Sequence, residues 1–180
     1  AHEDGGGVYL YDCSMSVDNS SVSNNEALSD GGGVSMHVSN ITIVGSAIDD
    51  NVAAGDDGGG VYLYLDCSMS VDNSSVSHNE ALGDGGGVYL YDCSMSVDNS
   101  SVSHNEALDD GGGVYAYKSA VVLSGSSSIS HNTAHGDDGG GVRVREGSLT
   151  VSNSAILGNW AADDGGGVYL YLDCSMSVDN

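Results

Sequence analysis

Proline, phenylalanine and glutamine are absent from this 180-residue chain, and only Lys118, Arg143 and Arg145 carry a permanent positive charge. Against them stand 26 acidic residues, for a net charge of −23. That balance excludes general nucleic-acid binding, which needs a basic face to displace counterions. No apolar run reaches the length of a membrane-spanning helix, so no membrane insertion is expected, and no signal peptide is visible. Good helix formers are scarce, while Ser, Asp and Asn, which compete with helical hydrogen bonding, abound. Almost no helix is expected. Disorder is the default for acidic chains rich in Gly and Ser. Here it fails, because hydrophobic residues make up 39% of the chain and fall in a fixed pattern.

What is present is repetition. The stretch DGGGVYLYDCSMSVDN occupies residues 4–19 and returns unchanged at 84–99; with one inserted Leu it recurs at 57–73 and 164–180. The triplet GGG begins at residues 5, 31, 58, 85, 111, 139 and 165, which defines seven units of 26 to 28 residues. Three of the units have diverged, and they show what the period tolerates. Val8 is matched by Val34, Val61, Val88, Val114, Val142 and Val168, and Val17 by Ile43, Val71, Val97, Leu123, Val151 and Val178. Within a unit such residues alternate with polar ones, the period-two signature of half-buried strands.

Three short strands per unit are predicted, roughly Val8–Tyr11, Cys13–Val17 and Ser20–Ser23 in the first. One unit cannot stand alone. Its half-dozen inward side chains gain about 1.5–3 kcal/mol each, whereas ordering its backbone costs about 1–2 kcal/mol per residue. Stacking the units closes a continuous core. The expected fold is therefore all-β: a right-handed parallel β-helix of six to seven coils forming one array over residues 1–180. A β-sandwich is the competing architecture, but it has no reason to repeat one phrase every 27 residues or so.

The motif [VI]xxN followed by GGGV reads VSNN at 22–25, IDDN at 48–51, VSHN at 76–79 and 102–105, ISHN at 129–132 and ILGN at 156–159. It resembles the FxxN…GGA[ILV] repeats of polymorphic outer membrane proteins and related adhesin-like right-handed β-helices of the pectate-lyase-like fold. Val or Ile replaces Phe here, and a third Gly replaces Ala. The resemblance implies a secreted or surface-displayed stalk or adhesin, and it carries over no catalytic residue.

Stacking turns every repeated residue into a column with about 4.8 Å between members. Asn25, Asn51, Asn79, Asn105, Asn132 and Asn159 form a structural ladder whose amides can bond along the axis. An Ala two residues later suggests a tight inward turn. Asp4, Asp30, Asp57, Asp84, Asp110, Asp138 and Asp164 form an acidic column directly before each GGG, with Glu3, Asp56, Asp109, Asp137 and Asp163 beside it. Neighbouring charges at that spacing repel. Relief comes either from solvent-splayed Asx turns that cap the glycine backbone or from Ca²⁺ held between coils by oxygen ligands. The ten tyrosines fall into two outward columns: Tyr9, Tyr62, Tyr89, Tyr115 and Tyr169, and Tyr11, Tyr64, Tyr91, Tyr117 and Tyr171. These read either as cross-strand stiffening or as a contact face for glycans or a second fibre. Trp160, placed at an exposed turn, could join such a face.

Asn19, Asn40, Asn73 and Asn99 begin N-x-[ST] sequons and are candidate glycosylation sites; three of them recur at one turn. The outward serines beginning with Ser14 and Ser16 raise ice binding, but Ala120 and Val122 interrupt them and Thr is rare. Cys13, Cys67, Cys93 and Cys174 share an inward column and read as buried free thiols rather than a metal site. His78, His104 and His131 stack in consecutive coils; an exposed corner is the favoured reading over a metal site. Catalysis needs a unique cluster in a cleft, and nearly every group here is duplicated. The expected function is an extracellular structural fibre or stalk that associates end to end into a filament. A glycan-binding surface adhesin is the alternative, and a polysaccharide-degrading enzyme ranks below both. Neither end carries a capping helix or polar end coil, so the chain is expected to be either a window from a longer array or a unit of a filament; joining Asn180 directly to Ala1 would skip about seven residues of the period, which disfavours a seamless covalent repeat.

Overall fold

The computed structural model describes residues 3–179; Ala1 and Asn180, whose direct joining the period disfavours, lie outside them. The first coil runs β1 (Val8–Tyr11), β2 (Ser14–Asp18), β3 (Ser21–Ser23) and β4 (Glu26–Ala27). Each strand pairs in parallel with its counterpart one coil later, as Val8 with Val34, Met15 with Ile41, Val22 with Ile48 and Ala27 with Ala53. Two seven-stranded and two six-stranded parallel sheets result. The chain is a right-handed parallel β-helix.

One element differs from the sequence reading. The Ala expected at a tight inward turn belongs to a fourth sheet of two-residue strands, in which Ala27, Ala53, Ala81, Ala107 and Ala134 are fully or almost fully buried. The expectation of three strands failed because a two-residue strand shows no alternation. Only the register of neighbouring coils makes it a strand.

Four corners separate the sheets, and most corners turn on one residue in the left-handed region. One corner uses Asp12, Val38, Asp92, Lys118 and Glu146; the next uses Asn19, Gly45, Asn73, Asn99 and Asn153. The third uses Asn24, Asp50, His78, His104, His131 and Gly158, and the fourth the first glycine of every GGG. Asn, Asp and Gly tolerate this conformation best, which accounts for much of the composition. The inserted Leu65 and Leu172 share their corners with Asp66 and Asp173, all four with positive φ, so the extra residue is absorbed without disturbing the strands. The second and third glycines serve close approach. A Cβ at Gly33 would lie 2.6 Å from the Gly60 carbonyl oxygen and 3.0 Å from Asn51 Nδ2. That contact excludes a side chain at this position of this chain.

The interior is a single apolar column. Met36, Leu63 and Leu90 line it from the first sheet, Ile43, Val71, Val97 and Leu123 from the second, and Ile48, Val76, Val102 and Ile129 from the third. Burial fades toward the last coil: Val97 is 0% exposed, whereas its equivalent Val178 is 64% exposed.

The asparagine ladder lies at the corner between the third and fourth sheets. Asn51 Nδ2 donates to Asn79 Oδ1 at 2.9 Å and to the Val22 carbonyl at 3.0 Å, and the Asn51 backbone N–H donates to the same Asn79 Oδ1 at 3.0 Å. The pattern repeats through Asn79, Asn105 and Asn132, all buried, and ends on Asn159. Every interior amide thus donates two bonds and accepts two. Removing one leaves the donors of the preceding coil unsatisfied, at about 1–3 kcal/mol per group. Asn79→Ala is therefore expected to lower unfolding stability by about 2–4 kcal/mol, while Asn40→Ala, on the exposed face, changes it by less than about 0.5 kcal/mol. Urea unfolding followed by circular dichroism checks both.

Candidate functional site

Nearly every column read from the sequence is duplicated, so the informative places are those where a column carries charge or breaks. The acidic column borders the glycine corner. Its carboxylates are not splayed into solvent as expected. Each accepts a hydrogen bond from the backbone N–H of the next Asp: Asp57 N to Asp30 Oδ1 at 3.0 Å, Asp84 N to Asp57 Oδ1 at 2.8 Å, Asp110 N to Asp84 Oδ1 at 2.9 Å and Asp138 N to Asp110 Oδ1 at 2.7 Å. Asp4 to Asp30 and Asp138 to Asp164 continue the row at its ends. The turn geometry aims each side chain along the axis, where it becomes a ladder. Sequence reasoning placed the acids correctly and misread their direction, because an Asx turn and an axial cap use the same residue.

Burial, with the closeness of like charges added to it, makes these acids weak. Burial, with the Asp84, Asp56 and Asp30 carboxylates adding to it, pushes Asp57 up to about 8. Burial likewise pushes Asp84 up to about 7. Asp30 and Asp110 are raised for the same leading reason. Arg143 answers part of the charge: its guanidinium meets Asp110 at 2.7 Å, with both side chains largely buried. Near the other end, Asp30, Asp56 and Asp57 each place a carboxylate oxygen within 4.8 Å of the others. These are the acidic-column oxygens best disposed to share a cation.

The tyrosines stand on the outer face of the first sheet, but the two columns differ. Tyr62, Tyr89 and Tyr115 stack with centroids 5.1 and 5.0 Å apart, and Tyr115 is only 6% exposed. This inner column lies against the acidic ladder. Burial first, then the Asp30 and Asp57 carboxylates, push Tyr62 far above the ordinary phenol range. The outer column, Tyr64, Tyr91 and Tyr117, keeps a similar spacing with tilted or edge-on rings. Tyr9, Tyr11 and Tyr171 are exposed in the end coils. Where the columns break, other groups fill them. His37 packs against Tyr9, Tyr62 and Tyr64. Arg143 lies between Tyr115 and Tyr169, and Arg145 between Tyr117 and Tyr171. Both columns point outward, but the first is partly covered there, most of all at Tyr115. Trp160 is exposed and meets His135 edge-on at 6.2 Å; it belongs to a fourth-sheet strand rather than a turn.

A serine ladder at the corner between the second and third sheets escaped sequence reasoning. The Ser20, Ser46, Ser74, Ser100 and Ser127 backbone N–H groups each donate to the serine hydroxyl one coil on. The signal was available, since Ser occupies this position in all six units through Ser154. Beside it, Asn19, Asn73 and Asn99 are exposed and turn the chain, each bonded to the Asp before it. With the serines they line an open groove of about 850 Å³. Asn40 is apart from them, on the outer face of the second sheet, where it accepts from Ser68 Oγ at 2.6 Å. On the same face Val122 lies opposite Ser96 and Thr150, breaking the hydroxyl array.

All four cysteines are free; Cys67 and Cys93 are buried, while Cys13 is exposed because its coil is the outermost. The Cys column caps a corner that it shares with serine: the Ser39 N–H donates to Cys67 Sγ and the Cys93 N–H to Ser119 Oγ. A hydrogen bond with the Cys67 thiol, then burial, keeps Cys93 protonated. His78, His104 and His131 stack face to face at 5.2 and 5.1 Å, with their ring planes nearly parallel.

The acidic ladder has a measurable consequence. An Asp whose folded value is raised contributes stability that is complete below its unfolded value, near 4, and is lost as pH rises through the folded value. For Asp84 and Asp57 that loss runs up to about 7 and about 8. The melting temperature is therefore expected to climb as pH falls from 8 toward 4. Asp57→Asn and Asp84→Asn, which keep the Oδ1 acceptor, should flatten the profile. Calorimetry across that range checks both.

The model of the right-handed β-helix region family matches residues 2–156 and, in a second alignment, 82–180. No curated protein and no solved structure matches the chain. The family holds pectate-lyase-like enzymes as well as non-enzymes, so membership alone leaves catalysis open. Matched along nearly its whole length and folded into parallel coils, this chain belongs to the right-handed β-helix family.

Proposed function

We propose that this chain is a structural rod: an extracellular fibre or stalk segment whose task is length and stiffness, rather than an enzyme. One observation carries the reading. The hydrogen-bonded asparagine ladder passes unbroken through diverged and identical coils alike. Divergence elsewhere is absorbed by corners and by substitutions such as Arg143 for Tyr, which keep the stack intact. The broad groove is lined by serines, asparagines, glycine and alanine, without a charged group suited to general acid–base work.

Self-association follows from the same physics. Strand edges at either end of the stack can accept a further coil, whether from a longer chain or from a second copy. The net charge of −23 opposes lateral contact, where no strand pairing offsets the repulsion. Calcium shared by Asp30, Asp56 and Asp57 would strengthen the rod, and addition of chelator at low salt tests it: a lower melting temperature supports calcium, and an unchanged one dismisses it. Glycans on Asn19, Asn73 and Asn99 would project from one edge of the rod.

A second reading, a glycan-binding adhesin, draws on the exposed Tyr11 and Tyr171 of the outer tyrosine column. Negative-stain electron microscopy tests the first reading. Seven coils span about 30 Å, and we expect rods or filaments several times that length. Compact, monodisperse particles, together with saturable binding to a glycan array, would favour the adhesin.

A further inference from the structure

In a chain of near-identical coils, a unique site can arise only where a column changes identity. One such change falls at the corner between the third and fourth sheets. The last residue of the third-sheet strand is Ser23, Ser77, Ser103 and Ser130 in four coils, but Asp49 in the second. The corner residue after it is Asp50 in the second coil and becomes His78 in the third. Two carboxylates of one coil therefore face the first imidazole of the histidine stack.

The groups converge. One oxygen each from Asp49 and Asp50 and one ring nitrogen of His78 all lie within 4.8 Å of one another. His78 Nδ1 and Asp49 Oδ1 are hydrogen-bonded at 3.0 Å and would part by only about 0.3 Å to span the edge of a tetrahedron with metal–ligand bonds of about 2.0–2.1 Å. A group outside the trio holds Asp49 in place: Ser77 Oγ donates to Asp49 Oδ1 at 2.7 Å. Such an outer hydrogen bond is the usual means of orienting a ligating carboxylate. His104 and His131, which continue the stack, lie outside this trio.

We infer that Asp49, Asp50 and His78 form a site for one divalent transition-metal ion, with water completing the coordination at this exposed corner. The mixed imidazole and carboxylate donors favour an ion such as Zn²⁺ over Ca²⁺ or Mg²⁺, which prefer oxygen alone. Such an ion would join the second coil to the third, at the corner that precedes the two-residue fourth-sheet strand Val52–Ala53.

Isothermal titration of the chelator-treated full chain with Zn²⁺ at pH 7.5 tests this. One ion per chain is expected, with affinity reduced at least about tenfold in His78→Ala and in Asp49→Asn. His104→Ala and His135→Ala should bind as the parent does. Equal binding by parent, His78→Ala and Asp49→Asn would overturn the site, as would an equal loss in His104→Ala. Should a variant misfold, imidazole nitrogen NMR of the parent decides: Zn²⁺ should shift His78 alone at the first equivalent, and a shift led by another histidine contradicts the assignment.

Discussion

Each residue of this protein has to be compatible with its counterpart one coil away, at the spacing of two hydrogen-bonded strands. That single constraint governs the rest. An amide meets it best, because its oxygen accepts from the coil before while its nitrogen donates to the coil after. Hence the asparagine column sits buried at a corner, where the strand ladder alone would leave backbone groups unpaired. Serine and cysteine meet the same constraint at two other corners with weaker groups, and glycine meets it at the fourth by offering no side chain to collide.

Carboxylates meet it only in part. Oδ1 of each Asp finds the next backbone N–H, but like charges then lie one above another. The chain relieves this through proton uptake along the middle of the row and through Arg143 at Asp110. Arg143 also takes the place of a tyrosine and lies between two tyrosine rings, so one residue offsets part of the acidic ladder's charge and continues the aromatic one. The two columns are physically coupled, since the inner tyrosines owe part of their shift to the same carboxylates.

Much of this was legible in the sequence. The period set the coil, and the alternation around Val8, Met15 and Val17 assigned inward positions that the structure buries in the central coils. The asparagine column was visible because nothing else interrupts it. What was hidden lies between residues of different coils. The two-residue fourth strand has no period of its own, and Ala27 marks it only once Ala53 is known to lie beside it. The inner tyrosines are covered because the glycine corner brings the acidic row against them, which spacing along the chain does not reveal. The meeting of Asp49 with His78 was hidden for the same reason: 29 residues separate them in the chain and one coil separates them in space.

If axial hydrogen bonding at the asparagine corner holds the coils together, the order in which the chain opens should follow that ladder. Native-state amide hydrogen exchange by NMR measures it directly. The account predicts that the backbone amides of Asn51, Asn79 and Asn105 exchange among the slowest in the molecule, at rates close to those of Val71 and Val97 in the core, with protection declining toward both end coils. Fast exchange at these three amides while the strand interiors stay protected would contradict it.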